Sequence, residues 1–358
     1  MIFKDWLPQP PGMIEPYDVM CVQSNIRQCY VDGRSPPDGQ AVKANLENAL
    51  HMINGRISAE WAPPPKIIVF PEFFLHGYRP GRKPSDWAGV GTTIPGEETD
   101  RLGERARALG SYIAGMVWEV DPEWPGRVFD SAFIVGPDGR VQLRYRKHCG
   151  GNLGYTVPAD IYTEFVKKHG EDALFPVLET PIGRLACIVC CDINYPEVTR
   201  MLALKGAEVI LQPTGEPKGP HRGPWESARR TRAYENMVYM VTANRAHWLT
   251  GDLPYDESHG HSEVVDYTGK VMVEAESTGE CAIRVAIDVD RLRRTRTKSN
   301  RNFLSMLPTE MYAGLYGRTK VYPTDAFAAG PIKEVAEYDP LMRKIRSGLL
   351  KERVLVEP

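Results

Sequence analysis

Apolar residues follow two alternating patterns along the chain. Residues 67–70 and 185–189 are continuously apolar or small, which is typical of short strands buried on both faces. Between such runs the spacing is helical, as in residues 41–57, where apolar side chains recur at i, i+4, i+8 and i+11. A strand, a helix and a second strand form a βαβ unit, and its repetition predicts a sheet covered by helices.

The same order continues through most of the chain. Strands are predicted at residues 17–25, 67–70, 112–120, 185–189, 208–212, 238–244 and 281–287, and helices at residues 41–57, 99–109, 198–204 and 224–236. Residues 130–145 and 262–275 each read as a hairpin, because a glycine-containing turn divides two strand-like runs. We therefore predict an α/β fold in which a mixed sheet, doubled into two layers, lies between outer helices.

The two ends of the chain lack this pattern. Residues 1–16 are rich in proline and are interpreted as an N-terminal arm, residues 17–291 as the folded domain, and residues 292–358 as a C-terminal extension. The extension shows no sheet pattern, so we predict that it packs on the parent domain or on a second subunit. Its basic run at residues 291–298 has no interleaved aromatic residues and is interpreted as a solvated turn or an intersubunit contact.

Composition excludes several classes of protein. The 358 residues are 42% hydrophobic and 25% charged, which is ordinary for a globular chain. A net charge of −2 gives no electrostatic case for binding nucleic acid or an anionic membrane. No apolar run approaches the roughly 20 residues that a membrane span needs, and the first residues do not form a secretory signal. Seven cysteines without framework spacing predict free thiols, so we expect a soluble, cytoplasmic protein.

Three reactive side chains directly follow strand-like runs. Glu72 follows residues 67–71, Lys147 follows residues 141–146, and Cys190 follows residues 185–189. Functional sites of layered α/β folds collect at strand ends, so these side chains are expected to meet. The Glu would act as general base, the Lys would lower the thiol pKa and bind an oxyanion, and the Cys would be the nucleophile.

Five motifs surround these residues. They read VFPEFFLHGY around Glu72, YRK at residues 145–147, CCDINYPE from Cys190, RAYENMVYMVTAN from Arg232 and GHSEVVDYTG from Gly260. Together they resemble, in order and over residues 17–290, the nitrilase superfamily of carbon–nitrogen hydrolases. The resemblance implies a four-layer α-β-β-α sandwich, a Glu72–Lys147–Cys190 triad, a thioester acyl-enzyme, no cofactor and no metal. It also implies a small-molecule substrate and a homo-oligomer, a dimer or larger.

The register of the third motif separates the two adjacent thiols. In the superfamily the nucleophile lies six residues before the proline of YPE, and counting back from Pro196 gives Cys190. Cys191 then supplies a backbone N–H to the oxyanion. The NYPE ending resembles amidase branches, whereas the arginines of carbamoylases and the tryptophan of nitrilases are replaced by other residues. We therefore predict hydrolysis of an amide to a carboxylic acid, with nitrilase or N-carbamoyl amide hydrolysis as the alternative.

Several features stay open at this stage. Many superfamily members carry a second Glu in the loop after the Lys, but residues 148–155 contain no acid. Glu164 is the best substitute, with Asp160 behind it. Tyr78 and Thr214, near strand ends, are candidates for lining the pocket.

Other residues of the chain offer rival interpretations of the site. A Cys–His dyad could use His148 or His261, and residues 187–191 offer three cysteines as metal ligands without the spacing of a zinc site. An N-acyltransferase or a non-catalytic scaffold is also compatible with the fold, although the intact Glu, Lys and Cys argue against a scaffold. The acyl group of the substrate cannot be read from the sequence.

Overall fold

Two six-stranded sheets form the centre of the molecule. The computed structural model describes residues 13–57, 63–150, 153–216, 219, 222–258, 260–298, 300 and 302–357, so most of the predicted N-terminal arm lies outside the described residues. The first sheet contains β1 (Tyr17–Gln23), β3 (Ile67–Val69), β4 (Tyr112–Glu119), β5 (Phe129–Val135), β6 (Val141–Arg146) and β15 (Cys281–Ile287). Their order is β15-β1-β3-β4-β5-β6. Strands β1, β3 and β4 are parallel, and the outer pairs are antiparallel.

The second sheet repeats this design. It contains β7 (Leu178–Thr180), β8 (Gly183–Cys187), β9 (Val209–Thr214), β10 (Tyr239–Asn244), β13 (Glu263–Val265) and β14 (Val271–Glu274), in the order β14-β13-β10-β9-β8-β7. Strands β8, β9 and β10 are parallel. Three short strands, β2 (Ile26–Arg27), β11 (His247–Thr250) and β12 (Leu253–Glu257), form a separate small sheet.

Helices cover the outer face of each sheet. They are α1 (Gly39–Ile57), α2 (Pro84–Ala88), α3 (Glu97–Leu109), α4 (Tyr162–His169), α5 (Pro196–Leu204), α6 (Arg222–Asn236), α7 (Val289–Lys298), α8 (Thr309–Arg318) and α9 (Tyr338–Lys351). Helices α1 and α3 lie on the first sheet and α5 and α6 on the second, while β1 and β3 face β9 and β10 across the core. This is the predicted four-layer α-β-β-α sandwich. None of these described helices is long and apolar enough to cross a membrane.

The core explains why these segments form strands. Every residue of β4, β5, β9 and β10 is buried, so their continuous apolar runs are covered on both faces. Burying one Val, Ile or Leu side chain stabilises a fold by about 1.5–3 kcal/mol. This rigid double sheet fixes the strand ends from which the candidate site is built.

The basic run at residues 291–298 is not a turn, because it forms most of α7. Arg293 is paired with Glu208, with 2.7 Å between Nε and Oε1. Arg296 donates to the carbonyl oxygens of Met237 at 2.9 Å and Ala207 at 2.7 Å. These contacts tie the start of the extension to the second sheet, so the interpretation of this run as a solvated turn is wrong.

The rest of the extension docks on residues 155–163. Tyr338, only 1% exposed, donates to Asp160 Oδ2 at 3.0 Å and to the Tyr155 carbonyl at 3.3 Å. The Tyr322 hydroxyl donates to the other oxygen of Asp160 at 2.6 Å. Thr163 donates from its backbone N–H and its hydroxyl to Asp325. The extension therefore packs on the parent domain around the buried Asp160. Packing on the parent domain was one of the two predicted alternatives, the other being packing on a second subunit.

Candidate active site

Cys190 lies in a strained turn beyond the second sheet. Strand β8 ends at Cys187, and residues Cys190–Asn194 form a short 3-10 turn before α5 begins. The thiol therefore lies in the turn that joins β8 to α5. Cys190 has φ +48°, a left-handed conformation that non-glycine residues rarely adopt. Such strain persists only where the surrounding structure holds it, as at an exposed nucleophile.

Asp192 holds this turn in place. Its buried carboxylate accepts hydrogen bonds from the Tyr145 hydroxyl at 2.7 Å, the Val189 N–H at 3.1 Å and the Cys149 N–H at 3.2 Å. These donors come from β6, from the segment after it and from the turn itself. One carboxylate therefore joins the nucleophile turn to the strand that carries Lys147.

The carbonyl of the nucleophile has its own support. The side-chain amide of Gln212 donates to the Cys190 carbonyl at 3.2 Å, and Thr242 donates to Gln212 at 2.9 Å. Gln212 and Thr242 lie on adjacent parallel strands, β9 and β10. The strained backbone is thus held by two strands of the second sheet.

The three predicted residues meet across the interface between the sheets. Lys147 Nζ lies 2.6 Å from Glu72 Oε1, and Glu72 lies close enough to the Cys190 thiol for each group to shift the pKa of the other. Lys147 Nζ also lies 2.7 Å from Asp130 Oδ2. Glu72 is 1%, Lys147 2% and Asp130 0% exposed, so these charges are shielded from water.

Glu72 is positioned by close backbone contacts. Its N–H donates to the Thr214 carbonyl at 3.3 Å, and the next residue, Phe73, has φ +60°. A Cβ atom on Gly215 would lie 3.0 Å from Glu72 Oε2, so glycine leaves room for the carboxyl close to this backbone. Thr214, a pocket-lining candidate, therefore contacts the site through its backbone.

Burial sets the electrostatics of the site. Burial, and after it the neighbouring Cys190, raise the pKa of Glu72 to about 8, although Lys147 opposes the shift. Burial disfavours the Lys147 ammonium, but Asp130 and Glu72 outweigh it and hold the pKa of Lys147 well above its ordinary value. A hydrogen bond with Cys191, followed by burial, raises the pKa of the Cys190 thiol. Lys147 opposes this shift, as predicted, but the net change is upward, so the expectation of a lowered thiol pKa is wrong.

Aromatic rings form one wall beside the triad. Tyr78 stacks on Phe73 with ring centroids 5.1 Å apart, and Phe73 packs on Trp118 at 4.9 Å. Trp118 also contacts Tyr155, whose ring centroid lies 5.2 Å from Lys147 Nζ. Burial, followed by the charge of Glu72, raises the Tyr78 pKa. Tyr78 therefore belongs to the aromatic wall that reaches Lys147 through Trp118 and Tyr155.

Other sequence candidates lie elsewhere. Glu164 is exposed on α4, so the structure does not bring it to the triad, and Asp160 binds the extension instead. His148 contacts the Leu174 carbonyl and His261 contacts Glu274, which gives neither a described contact with Cys190. Among the residues that the structure describes, no group of three His, Cys, Asp or Glu side chains could hold a metal ion.

Sequence reasoning missed Asp130. The signal was present, because an aspartate at the second position of the otherwise uncharged, wholly buried strand β5 needs a charged or hydrogen-bonding partner. Its partner, Lys147, lies 17 residues further on, across a hairpin whose register the sequence could not supply.

The chain is similar to known carbon–nitrogen hydrolases. The model of the carbon–nitrogen hydrolase family matches residues 33–297. The human omega-amidase NIT2 is 29% identical over 232 residues, covering 64% of this chain and 79% of that protein. A probable nitrilase of Schizosaccharomyces pombe is 24% identical over 294 residues, covering 81% of this chain and 96% of its own length.

Solved structures share the fold. A carbon–nitrogen hydrolase from Helicobacter pylori superposes with a TM-score of 0.67 at 20% identity, covering 85% of this chain and 99% of its own. An amidase from Nesterenkonia sp. gives a TM-score of 0.59 at 20% identity, covering 85% of this chain and 98% of its own. These likenesses confirm the predicted sandwich fold. The chain belongs to the carbon–nitrogen hydrolase family, which confirms both the resemblance to the nitrilase superfamily and the predicted reaction class.

Proposed function

We propose that this enzyme is an amidase that uses Cys190 as nucleophile, Glu72 as general base and acid, and Lys147 as oxyanion donor. The observation that carries the proposal is the position of the buried Glu72, which lies 2.6 Å from Lys147 and close enough to the Cys190 thiol for the two groups to shift the pKa of one another. A base in contact with both its nucleophile and a fixed cation is the arrangement that acyl transfer through a thioester requires.

Each step follows from these contacts. The Glu72 carboxylate takes the thiol proton as Cys190 Sγ attacks the amide carbonyl. An ammonium has three protons, of which two are directed at Glu72 and Asp130, so the third is available to the oxyanion. The Cys191 N–H is the second donor. Glu72 then protonates the leaving nitrogen, and the C–N bond breaks to give a thioester and ammonia or an amine.

In the hydrolysis of the thioester, water replaces the thiol as the nucleophile. Glu72 takes a proton from water as the water oxygen attacks the thioester carbonyl, and the C–S bond breaks. The carboxylic acid leaves, and the proton held by Glu72 returns to the Cys190 sulfur. The same three residues thus serve both half-reactions, without a redox step.

Separate replacement of each of the two adjacent cysteines by alanine tests which one is the nucleophile. Cys190→Ala is expected to abolish ammonia release, whereas Cys191→Ala retains turnover because its proposed role is a backbone N–H. Activity that survives in Cys190→Ala and disappears in Cys191→Ala would overturn the assignment.

The runner-up activity, on nitriles or N-carbamoyl compounds, has support in the probable nitrilase of S. pombe. The omega-amidase relatives favour amides. A panel of amides, nitriles and N-carbamoyl compounds, assayed for ammonia, decides between them. Assays with added amine test the acyltransferase alternative, which predicts an N-acyl product.

We also propose that the extension, residues 292–358, contributes to a homo-oligomer. Met311 and Leu315 lie one turn apart on α8 and are 66% and 61% exposed, although both are apolar. Exposed apolar patches of this kind mark contacts between proteins. Met311→Glu with Leu315→Glu is expected to lower the assembly mass in light scattering, whereas Glu310→Gln leaves it unchanged. An unchanged mass in the double variant would contradict this subunit contact.

The cytoplasmic location read from the cysteines stays a prediction.

A further inference from the structure

Two buried carboxyl groups contact the same lysine in the candidate site. Lys147 Nζ donates to Glu72 Oε1 at 2.6 Å and to Asp130 Oδ2 at 2.7 Å. The mechanism above uses Glu72 in every step and gives Asp130 none. Asp130 is completely buried, so its presence beside a second carboxyl needs a physical reason.

Two ionised carboxyls would exceed the single positive charge of Lys147. With both carboxyls ionised, the unit of Glu72, Asp130 and Lys147 would carry a net charge of −1 away from water. Two carboxylates that share a buried site raise the pKa of one another, so one of them holds a proton. The structure shows this pressure at Asp130, where burial and the charge of Glu72 raise the pKa well above its usual range.

Hydrogen bonding indicates where the proton lies. Asp130 Oδ2 is taken by Lys147, while Oδ1 is buried and has no donor among the described residues. Asp130 and Glu72 are neighbours, because both carboxyls contact the same Lys147 Nζ, at 2.7 Å and 2.6 Å. A bare buried carboxylate oxygen without a donor is costly, but a protonated Oδ1 would instead donate to Glu72.

We propose that Asp130 is a neutral carboxylic acid in the working enzyme. Its hydroxyl donates a hydrogen bond to Glu72, and its other oxygen accepts one from Lys147. It is then a positioning residue, which orients the ammonium without cancelling its charge. With Asp130 neutral, the ionised Glu72 balances the positive charge of Lys147 and the unit has a net charge of zero. Once Glu72 takes the thiol proton, the charge of Lys147 is no longer balanced and becomes available to the oxyanion. This inference rests on the proposed roles of Glu72 and Lys147.

Titratable groups from several elements surround Asp130, and the protonation of each depends on the charge of the others. Glu72 comes from the turn after β3 and Lys147 from the segment after β6, with Cys190 in contact with Glu72. Tyr78 and Tyr155 also experience the charge of Asp130. Burial raises the pKa of each tyrosine, so both stay neutral where Glu72 ionises. The acid limb of the activity profile therefore belongs to Glu72, and the alkaline limb to loss of the Asp130 proton.

Asp130→Asn is the decisive variant. Its amide is a neutral isostere of the acid, with an N–H for Glu72 and a carbonyl for Lys147, so kcat/KM is expected within about threefold of the wild type, well short of the loss that removal of a catalytic charge causes. The alkaline limb should disappear while the acid limb remains. Asp130→Ala removes both hydrogen bonds, and about a ten- to hundredfold loss is expected.

Infrared difference spectra provide a readout that does not depend on turnover. About one pH unit above the Glu72 pKa of about 8, the wild type should show a protonated-carboxyl C=O band that is missing in Asp130→Asn. Asp160→Asn is the matched control, since Asp160 is also a buried aspartate but binds tyrosines of the extension. That variant should keep the band assigned to Asp130 and the alkaline limb.

Two results would overturn the proposal. One is a loss of activity in Asp130→Asn as large as that caused by removing Lys147, which would make Asp130 a working anion. The other is the absence of any carboxyl band that disappears in Asp130→Asn. Either result would leave the Cys190 chemistry intact, because the proposed function depends on ammonia release in the thiol variants.

Discussion

One lysine–carboxylate ion pair lies in the candidate site, and another of similar length joins the domain to the C-terminal extension. Lys147 Nζ lies 2.6 Å from Glu72 in a pair whose side chains are 2% and 1% exposed. Lys83 Nζ lies 2.5 Å from Glu334 of the extension, in a pair that is 58% and 53% exposed. The distances are nearly equal, yet water surrounds only the second pair. Geometry alone therefore does not identify a functional charge, whereas burial does.

The same contrast separates the two regions as a whole. The candidate site is built from strand ends of two buried sheets, and its residues have few alternative positions. The extension is held at its start by Arg293 and Arg296 and further along by contacts around Asp160, and it leaves apolar side chains such as Met311 and Leu315 exposed. A rigid support suits catalysis, whereas an exposed apolar helix suits assembly.

Removal of the buried lysine is expected to produce the largest effect. Lys147→Met should lower kcat/KM by about a thousandfold, because preorganised oxyanion donors in a dry site contribute on this scale. The matched control is Lys83→Met, which breaks an exposed pair and should change kcat/KM by less than about twofold. Steady-state ammonia assays of both variants measure the difference. Equal losses in both would contradict the role of burial in this comparison.

The pH dependence of activity should follow Glu72. Its pKa is raised to about 8, and the base works only when ionised, so kcat/KM is expected to rise as the pH increases toward 8. Stability should change in the opposite direction. A carboxyl whose pKa is higher in the folded than in the unfolded state stabilises the fold below its ordinary value of 4.5, and this contribution is lost as the pH rises through about 8.

Glu72→Gln separates these two effects. The variant should be inactive, and its free energy of unfolding should depend less on pH between 4.5 and 8 than that of the wild type. Denaturant unfolding at several pH values measures the slope. An activity profile that is flat across this range in the wild type would show that Glu72 is not the titrating base.

The smallest effect is expected at the docked end of the extension. Tyr338→Phe removes a hydroxyl that donates to Asp160 and to the Tyr155 carbonyl, and should lower the free energy of unfolding by about 1 kcal/mol. Tyr316→Phe, which removes an exposed contact with Glu197, is the control and should change stability little. Thermal unfolding compares the two. A larger destabilisation in Tyr316→Phe would show that exposed contacts, rather than Asp160, hold the extension.

The sequence predicted those parts of the fold that neighbouring residues determine. The βα order, both hairpins and the strands that end near Glu72 and Cys190 were visible because apolar runs repeat at fixed spacing. Helices α8 and α9 were missed, since their apolar residues pack on few partners and leave many exposed. The contact of Lys147 with Asp130 depends on the register of β5 and β6, which is a property of the folded sheet.

The resemblance supplied more of the site than local patterns did. Registering the motif on Pro196 selected Cys190, and the structure gives that residue the left-handed backbone and the contact with Glu72. The expectation of a lowered thiol pKa was wrong because a hydrogen bond that the Cys190 thiol donates to Cys191, together with burial, outweighs the charge of Lys147. These are three-dimensional effects that residue spacing does not record.

Identification of the covalent intermediate tests the central claim most directly. Turnover of a good amide substrate, stopped by acid and followed by digestion and mass spectrometry, should show the acyl mass on the peptide that contains residues 190 and 191. With Cys191→Ala the acyl group should remain on that peptide, and it should be absent with Cys190→Ala. An acyl group found on Cys191 or Cys149, or unchanged labelling in Cys190→Ala, would contradict the account of Cys190 as the nucleophile.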